Sequence, residues 1–281
     1  MRSLSLIGLF SPAFVFASSE GVSPSATDLF QVAGVPISNS ILTTWIIAAL
    51  IIIGVRLAVG TPKLIPGKGQ AVVEGMAQGL RDALEPIVGK QMIGKTFPLL
   101  CGFFVFILLM NWSGLLPGVG TIKFHTAAGW QDAIRPANSD LNTTFALSVL
   151  SFVAWTYFVL RYAGFKVLVF DLFGNKADKK EVGMLMWVLL VPIFFAVGGI
   201  EVVSIAFRLI SLSFRLFGNV FGGENLIHAL GGIAPYVAPA LAGLLEVLVG
   251  VIQAFVFTLL SAVYIGLICN HEGGHDDEHA H

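Results

Sequence analysis

The stretch VGMLMWVLLVPIFFAVGGIEVVSIAFRLISLSFRLFGNVFGGENLIHALGGIAP, residues 182–235, is 54 residues of mostly apolar sequence. As one α-helix it would be about 80 Å long at 1.5 Å per residue, against a bilayer hydrocarbon core of about 30 Å. A helix of that length cannot stand upright in a membrane. The run therefore predicts a strongly tilted helix over about 183–232, bent at Pro192 and at the Gly pairs. The segment GGIAPYVAP, residues 231–239, turns the chain, and residues 239–269 supply a second long helix of about 46 Å. The expected product is a tilted helical hairpin.

Composition extends this reading to the whole chain. Hydrophobic residues make up 56 % of the 281 positions and charged residues 12 %, with 23 Phe, whereas soluble chains carry about 25 % charged residues. A water-soluble globule is excluded. The 16 basic and 17 acidic residues leave a net charge of −1, so no basic excess exists to neutralise nucleic-acid phosphates. Cys101 and Cys269 sit in apolar runs, as buried thiols do, which argues against a disulfide framework or a metal knuckle. The sequence contains no Gly-rich phosphate loop with its Lys, and the hairpin offers no nucleophile and base beside an oxyanion hole. Nucleotide chemistry, a metal and a cofactor are not expected in this chain.

Three further runs have the length of spanning helices, over 41–59, 97–116 and 141–162. Residues 69–90 differ. They mix Val72, Val73, Met76, Leu80, Leu84 and Ile87 at helical spacing with Glu74, Gln78, Arg81, Asp82 and Glu85, which predicts an amphipathic helix lying in the interface. Six Lys and Arg fall between residues 56 and 96, two between 117 and 140, and five between 161 and 181. By the positive-inside rule the first and third of these loops are cytoplasmic, which puts the N-terminus outside and the C-terminus inside. Arg2, the apolar stretch from Leu4 to Val15, and Val15-Phe16-Ala17 before Ser18 read as a signal peptide over 1–17. An uncleaved hydrophobic N-terminus is the alternative, and the run is too short to span. The expectation is an all-α polytopic membrane protein: one membrane domain over 18–270 with about five crossing helices and one in-plane helix. A His- and acid-rich tail occupies 271–281, read as solvated, with weak metal binding by His275 and His279 as the alternative. Neither orientation of internal repeat is present, which weighs against a repeat-built transporter.

Within the hairpin the ionisable groups are Glu201, Arg208, Arg215, Glu224, His228 and Glu246, and no Lys or Arg occurs after Arg215 in the last 66 residues. Each charged group at a bilayer centre costs about 2.5–3.5 kcal/mol on insertion scales, so such groups face water or a partner and mark ion paths. Glu201, Arg208 and Arg215 lie seven residues apart and drift only about 20° per step, so they share a helix face, which Ser204, Ser211 and Asn219 extend. Glu201 and Arg208 suit an ion pair on that face. Glu224 falls on the opposite side, with His228 after it at i+4; His228 suits a helix–helix hydrogen bond as well as a relay. On the last helix Glu246, Gly250, Gln253, Phe257 and Tyr264 form a narrow strip. Arg215 has no acid at i±3 or i±4, so its guanidinium needs an anion from another helix or another chain. Gly218 and Gly222 have GxxxG spacing, which suits close approach of a neighbouring helix or packing within the hairpin.

At SLSFRLFGNVFGGE, residues 211–224, and IQAFVF, residues 252–257, the chain resembles subunit a of the rotary F-type ATP synthase. IPGKGQAVVEG at 65–75, MNWSGLLPG at 110–118 and PANSDLNTT at 136–144 resemble the same family in the same order. The resemblance implies the stator half of an ion channel in a bacterial inner membrane. Its partners would be a ring of c subunits, the b-subunit peripheral stalk, the other synthase subunits and the lipid bilayer. It implies that Arg215 is the essential arginine facing the ring, that Asn219 and Gln253 are its polar neighbours, and that Glu224 and Glu246 are the paired channel positions. Here two carboxyls replace a Glu and His pair, an arrangement that favours sharing a proton. Glu201, Arg208 and Ser211 resemble residues of the cytoplasmic exit, and Asp140 and Asn142 residues of the outer entrance. Gly114 stands where the family often has an acid. The resemblance leaves open whether H⁺ or Na⁺ is carried. A self-contained ion channel or antiporter, and a purely structural subunit, are the competing readings.

Overall fold

The computed structural model describes residues 26–32, 35–116, 119, 123–126, 129–132, 134–166, 169, 179–231 and 237–269. The expected leader, the tail over 271–281 and most of the turn at 231–239 lie outside the described residues. Two short antiparallel hairpins pair β1 (Asp28–Val32) with β2 (Val35–Ser38) and β3 (Lys123–Thr126) with β4 (Gly129–Asp132). The sequence reading did not anticipate them. The helices are α1 (Asn39–Val59), α2 (Lys68–Val88), α3 (Lys90–Ser113), α4 (Leu141–Phe158), α5 (Lys179–Gly231) and α6 (Val237–Cys269). A 3₁₀ turn, Ala137–Ser139, leads into α4, which ends in a π turn, Val159–Ala163. Among the described residues α1, α3, α4, α5 and α6 are long and apolar enough to cross a membrane. The protein is a polytopic helical membrane protein.

Glycine sets two of the boundaries. Gly89, at φ 88°, closes α2 and opens α3, so α3 begins at Lys90 rather than near Phe97. At Gly183 the backbone takes φ 75° and ψ 158°, a conformation open to a residue without Cβ. This is the non-helical residue within α5. Pro192, where the sequence suggested a bend, lies inside the helix. From residue 184 to Gly231 the helix spans about 70 Å at its usual rise.

Burial along α1 is inverted relative to a helix of a soluble bundle. Helix α1 buries Asn39, Ser40, Thr43 and Ile47, while Trp45, Leu50, Ile52, Ile53 and Leu57 are exposed. Lipid solvates apolar side chains, so helices in it associate through packing and interhelical hydrogen bonds. One core cluster joins α2, α3, α4 and α6 through Leu80, Leu84, Val88, Ile93, Leu100, Phe158, Ala262 and Ile265. A second, nearer the hairpin, contains Phe103, Ile107, Leu147, Leu212, Leu216, Ala254 and Phe257. The rings of Phe103 and Phe257 meet edge to face at 5.5 Å.

Helix α2 is apolar on one side only. Leu80, Leu84 and Val88 are buried, whereas Arg81 and Glu85 stay exposed enough to pair at 3.7 Å. Its C-terminal end lies directly on α6 because Gly266 carries no side chain. A Cβ at Gly266 would collide with the Ile87 carbonyl oxygen and stand 3.2 Å from Val88 Cα. Both neighbours are backbone and cannot rotate away. Gly266→Ala is expected to prise α2 from α6 and to cost about 1–3 kcal/mol, as overpacking does. Thermal unfolding in detergent checks this, and an unshifted midpoint would contradict it.

Candidate functional site

Helix α5 divides into a buried and an open side around Arg215. Leu212, Ser213, Leu216 and Val220 face the bundle, whereas Phe214, Arg215, Gly218 and Gly222 are exposed. A Cβ added at Gly218 or Gly222 would meet nothing within 4 Å. These glycines therefore do not serve packing within the hairpin; they leave a shallow lane beside Arg215 on the open flank. Among the described residues Arg215 makes no ion pair, whereas Arg208 does. A guanidinium cannot discharge itself by losing a proton. On an apolar flank it requires an anion from beyond the described residues.

Behind Arg215 the two hairpin helices converge on a second group of polar residues. Glu246 of α6 is 6 % exposed. A Cβ at Gly223 would stand 2.8 Å from its Oε1 and 2.9 Å from its Cδ, so the carboxyl occupies the space that this glycine leaves free. Gly223 directly precedes Glu224, which is half-buried. The hairpin thus brings Glu246 against the backbone that carries Glu224. Asn219 and Gln253 are also half-buried, and Asn219 Nδ2 and Gln253 Oε1 are buried atoms with no hydrogen-bond partner among the described residues. Leaving such groups unpaired costs about 1–3 kcal/mol each. The His228 side chain lies outside the described residues.

This geometry makes Gly223→Ala informative. The colliding atoms are the end of a flexible side chain, so Glu246 can swing aside at little cost in stability. We expect thermal stability near that of the unaltered chain and, on the ion-transport role that the resemblance implies, transport reduced by up to about 100-fold, the cost of a displacement of about 1 Å. Unchanged transport would show that the carboxyl position is immaterial.

The face shared by Glu201, Arg208 and Arg215 splits in the folded chain. Arg208 bends under α6, where its guanidinium lies 3.8 Å from the Tyr264 ring centroid and pairs with Glu201 at 3.6 Å. Arg215, one heptad on, stays on the open side. Arg208 and Tyr264 line a cleft between α4, α5 and α6 with Ser148, Ser151, Trp155 and Ser261. The Ser151 and Ser261 hydroxyls are 2.8 Å apart. Ser211 is exposed and outside this cleft, whereas Ser213, two residues on, is buried and lies 3.2 Å from Thr144 Oγ1. At the N-terminus of α4 Asp140 caps the helix, accepting from Asn142 N at 3.1 Å and Nδ2 at 3.3 Å, and its Oδ2 accepts from Ser40 Oγ at 2.9 Å.

Several polar residues of this region were missed in the sequence reading. Thr144, Ser148 and Ser151 recur at four and three positions on an apolar helix, and that periodicity was available as a signal. Asn138 and Asn111 form a buried bridge: Asn138 Nδ2 donates to Asn111 Oδ1 at 2.7 Å, and Asn111 Nδ2 donates to the Gly250 carbonyl at 3.1 Å. Only the folded chain reveals that pairing. Among the described residues no group of three His, Cys, Asp or Glu is placed to hold a metal.

Residues 41–266 match the family model described as ATP synthase A chain. The protein named ATP synthase subunit a from Moorella thermoacetica is 32% identical over 239 residues, covering 85% of this chain and 94% of the relative. Its namesake from Geotalea daltonii is 34% identical over 229 residues, covering 81% and 86%. That from Desulfotalea psychrophila is 32% identical over 229 residues, covering 81% and 83%.

Proposed function

This chain belongs to the ATP synthase A chain family, and from that membership we propose that it is the static membrane subunit of Fo, carrying protons to and from carboxylates on a rotating c ring. Nucleotide chemistry belongs to other subunits, and the b-subunit stalk holds this chain still. The N-terminus is outside a bacterial inner membrane and the C-terminus in the cytoplasm. The observation that carries the reading is Arg215: a permanent cation on an open flank, beside two glycines with free space around them, and without an acid of its own among the described residues.

The chemistry is a matter of charge. An ionised rotor carboxylate is attracted to Arg215, and a passing cation is repelled by it. Each charge crossing 100 mV carries about 2.3 kcal/mol, and that energy drives rotation only if the direct path between entrance and exit is closed. Arg215 closes it. Glu246 and Glu224 hand protons toward the ring from the outer side, where Asp140 and Asn142 stand at the mouth. Asn219 Nδ2 and Gln253 Oε1 offer a donor and an acceptor for water or a partner group beside the arginine. Glu201, Arg208 and the hydroxyls of Ser148, Ser151 and Ser261 line the way to the cytoplasm. Ser211, on the open side, and His228 have secondary places in this scheme. Protons are the cargo favoured here, with Na⁺ the alternative that the ring decides.

Reconstitution tests the reading. The purified chain alone in liposomes is expected to pass no specific ion current, and the same chain assembled with its c ring and stalk is expected to support proton flux. Specific conduction or exchange by the chain alone would identify a self-contained channel or antiporter instead.

A further inference from the structure

Two cations outside the ion path converge on one aromatic ring. Lys95, near the start of α3, places its Nζ 4.1 Å from the Tyr162 ring centroid, and Arg161 places its Cζ 5.8 Å from the same ring. The two charges are therefore no more than about 10 Å apart. Both side chains are exposed, and among the described residues neither pairs with a carboxylate. The ring stabilises each cation, but no carboxylate among the described residues lies within ion-pair distance to offset their mutual repulsion.

The backbone is shaped to make this meeting. Arg161 and Tyr162 lie in the π turn that ends α4, closed by Gly164 N donating to Val159 O at 2.9 Å, with Gly164 at φ 87°. A π turn carries more residues than an α turn and rotates the next side chains around the axis. Tyr162 also stacks on Phe158 at 6.1 Å, which fixes the ring under the two cations. Directly along α4 from Arg161 runs an exposed apolar stripe, with Leu150 50 %, Val153 55 %, Tyr157 58 % and Leu160 44 % exposed. Their spacing of three and four residues puts them on one helix face.

We propose that Lys95, Arg161 and Tyr162 bind the headgroup phosphate of an anionic phospholipid whose acyl chains lie along the Leu150–Leu160 stripe. The leaflet is the one at the α2–α3 corner, cytoplasmic in the topology proposed above; only this choice of leaflet rests on the proposed function. Cations between membrane helices at headgroup level recognise such lipids, and tyrosine is at home at that depth. The apolar stripe is what favours a lipid over a soluble phosphate, which would gain nothing from it. It also favours a lipid over an acidic protein segment, whose polar backbone the stripe cannot satisfy.

Native mass spectrometry of the delipidated full chain tests this, with dioleoyl phosphatidylglycerol and dioleoyl phosphatidylcholine as probes. Each interfacial cation contributes about fivefold to anionic-lipid affinity, so the unaltered chain is expected to prefer phosphatidylglycerol by about 30-fold. Lys95→Gln with Arg161→Gln should abolish the preference. Lys95→Arg with Arg161→Lys should retain it, as should Arg56→Gln with Lys63→Gln, which removes the same charge elsewhere. Equal binding of the two lipids by the unaltered chain would overturn the proposal without any variant. So would a preference that survives in the Gln pair, or phosphatidylglycerol displaced by millimolar inorganic phosphate. Cross-linking of Lys95 to an acidic segment of another subunit in the assembled complex, with no phosphatidylglycerol retained there, would also overturn it and assign the cations to a protein partner.

Discussion

Arg215→Ala is expected to abolish ATP-driven proton pumping in the reconstituted complex while leaving the c ring bound. Removing one member of a desolvated charge pair costs about 3–5 kcal/mol, which corresponds to about 100-fold or more in rate or occupancy. Two things are lost together: the attraction that draws a rotor carboxylate into its ionised form, and the barrier that keeps a proton from passing between entrance and exit. The variant should therefore also leak, dissipating an imposed gradient through a ring that does not turn. Arg215→Lys separates charge from shape. A lysine in a dry site loses its proton more readily than in water, so the Lys variant should retain part of the activity at low pH and lose it as pH rises. Fluorescence-quench assays of pumping, with co-purification of the ring as the assembly check, decide the matter. Wild-type pumping in an assembled Ala variant is incompatible with the stator assignment. A variant that pumps nothing because the ring never binds would favour a purely structural subunit, provided the Lys variant, with its ring in place, pumps like the unaltered chain.

Glu246→Gln is the second large effect. Glutamine has nearly the shape of glutamate, so the packing against Gly223 should persist, but an amide cannot take up and release a proton. A positioned acid or base contributes about 100-fold or more to proton transfer, and a loss of that order is expected in pumping at unchanged thermal stability. Glu246→Asp keeps the titrating group but withdraws it from Gly223 by one methylene, and an intermediate rate should result. Paired with Gly223→Ala, the series distinguishes the need for a carboxyl from the need for that carboxyl in that place. Full pumping by the Gln variant would remove Glu246 from the proton path.

Much of the architecture and of the charged flank was legible in the residues because membranes make strict demands. The length of the run at 182–235 predicts a single helix too long to stand upright, and the helix runs to Gly231; the scarcity of ionisable groups in it is enough to single out Arg215. The heptad spacing of Glu201, Arg208 and Arg215 predicted one common face, and the ion pair between the first two is present at 3.6 Å. The different fates of Arg208 and Arg215 were not legible, because they depend on where Tyr264 of another helix arrives. The role of Gly223 was hidden for the same reason: an absent side chain has meaning only against the Glu246 carboxyl that fills its place. Gly218 and Gly222 left two readings open, and the empty space around them removes packing within the hairpin. The β-hairpins went unseen because their strands are short and their pattern is weak beside long apolar helices.

The fastening of α1 has a mechanical meaning. Its N-terminal end is tied by Ser40 to Asp140, and its C-terminal end abuts the first turn of α2, where Gly69 leaves room for the Ala58 carbonyl. Between those points most of its surface is exposed. A sideways pull on α1 is thus delivered to the carboxylate that starts α4, and from Thr144 to Ser213, two residues from the arginine. This lightly embedded rod is a strut, through which a force applied to it reaches the flank that carries Arg215.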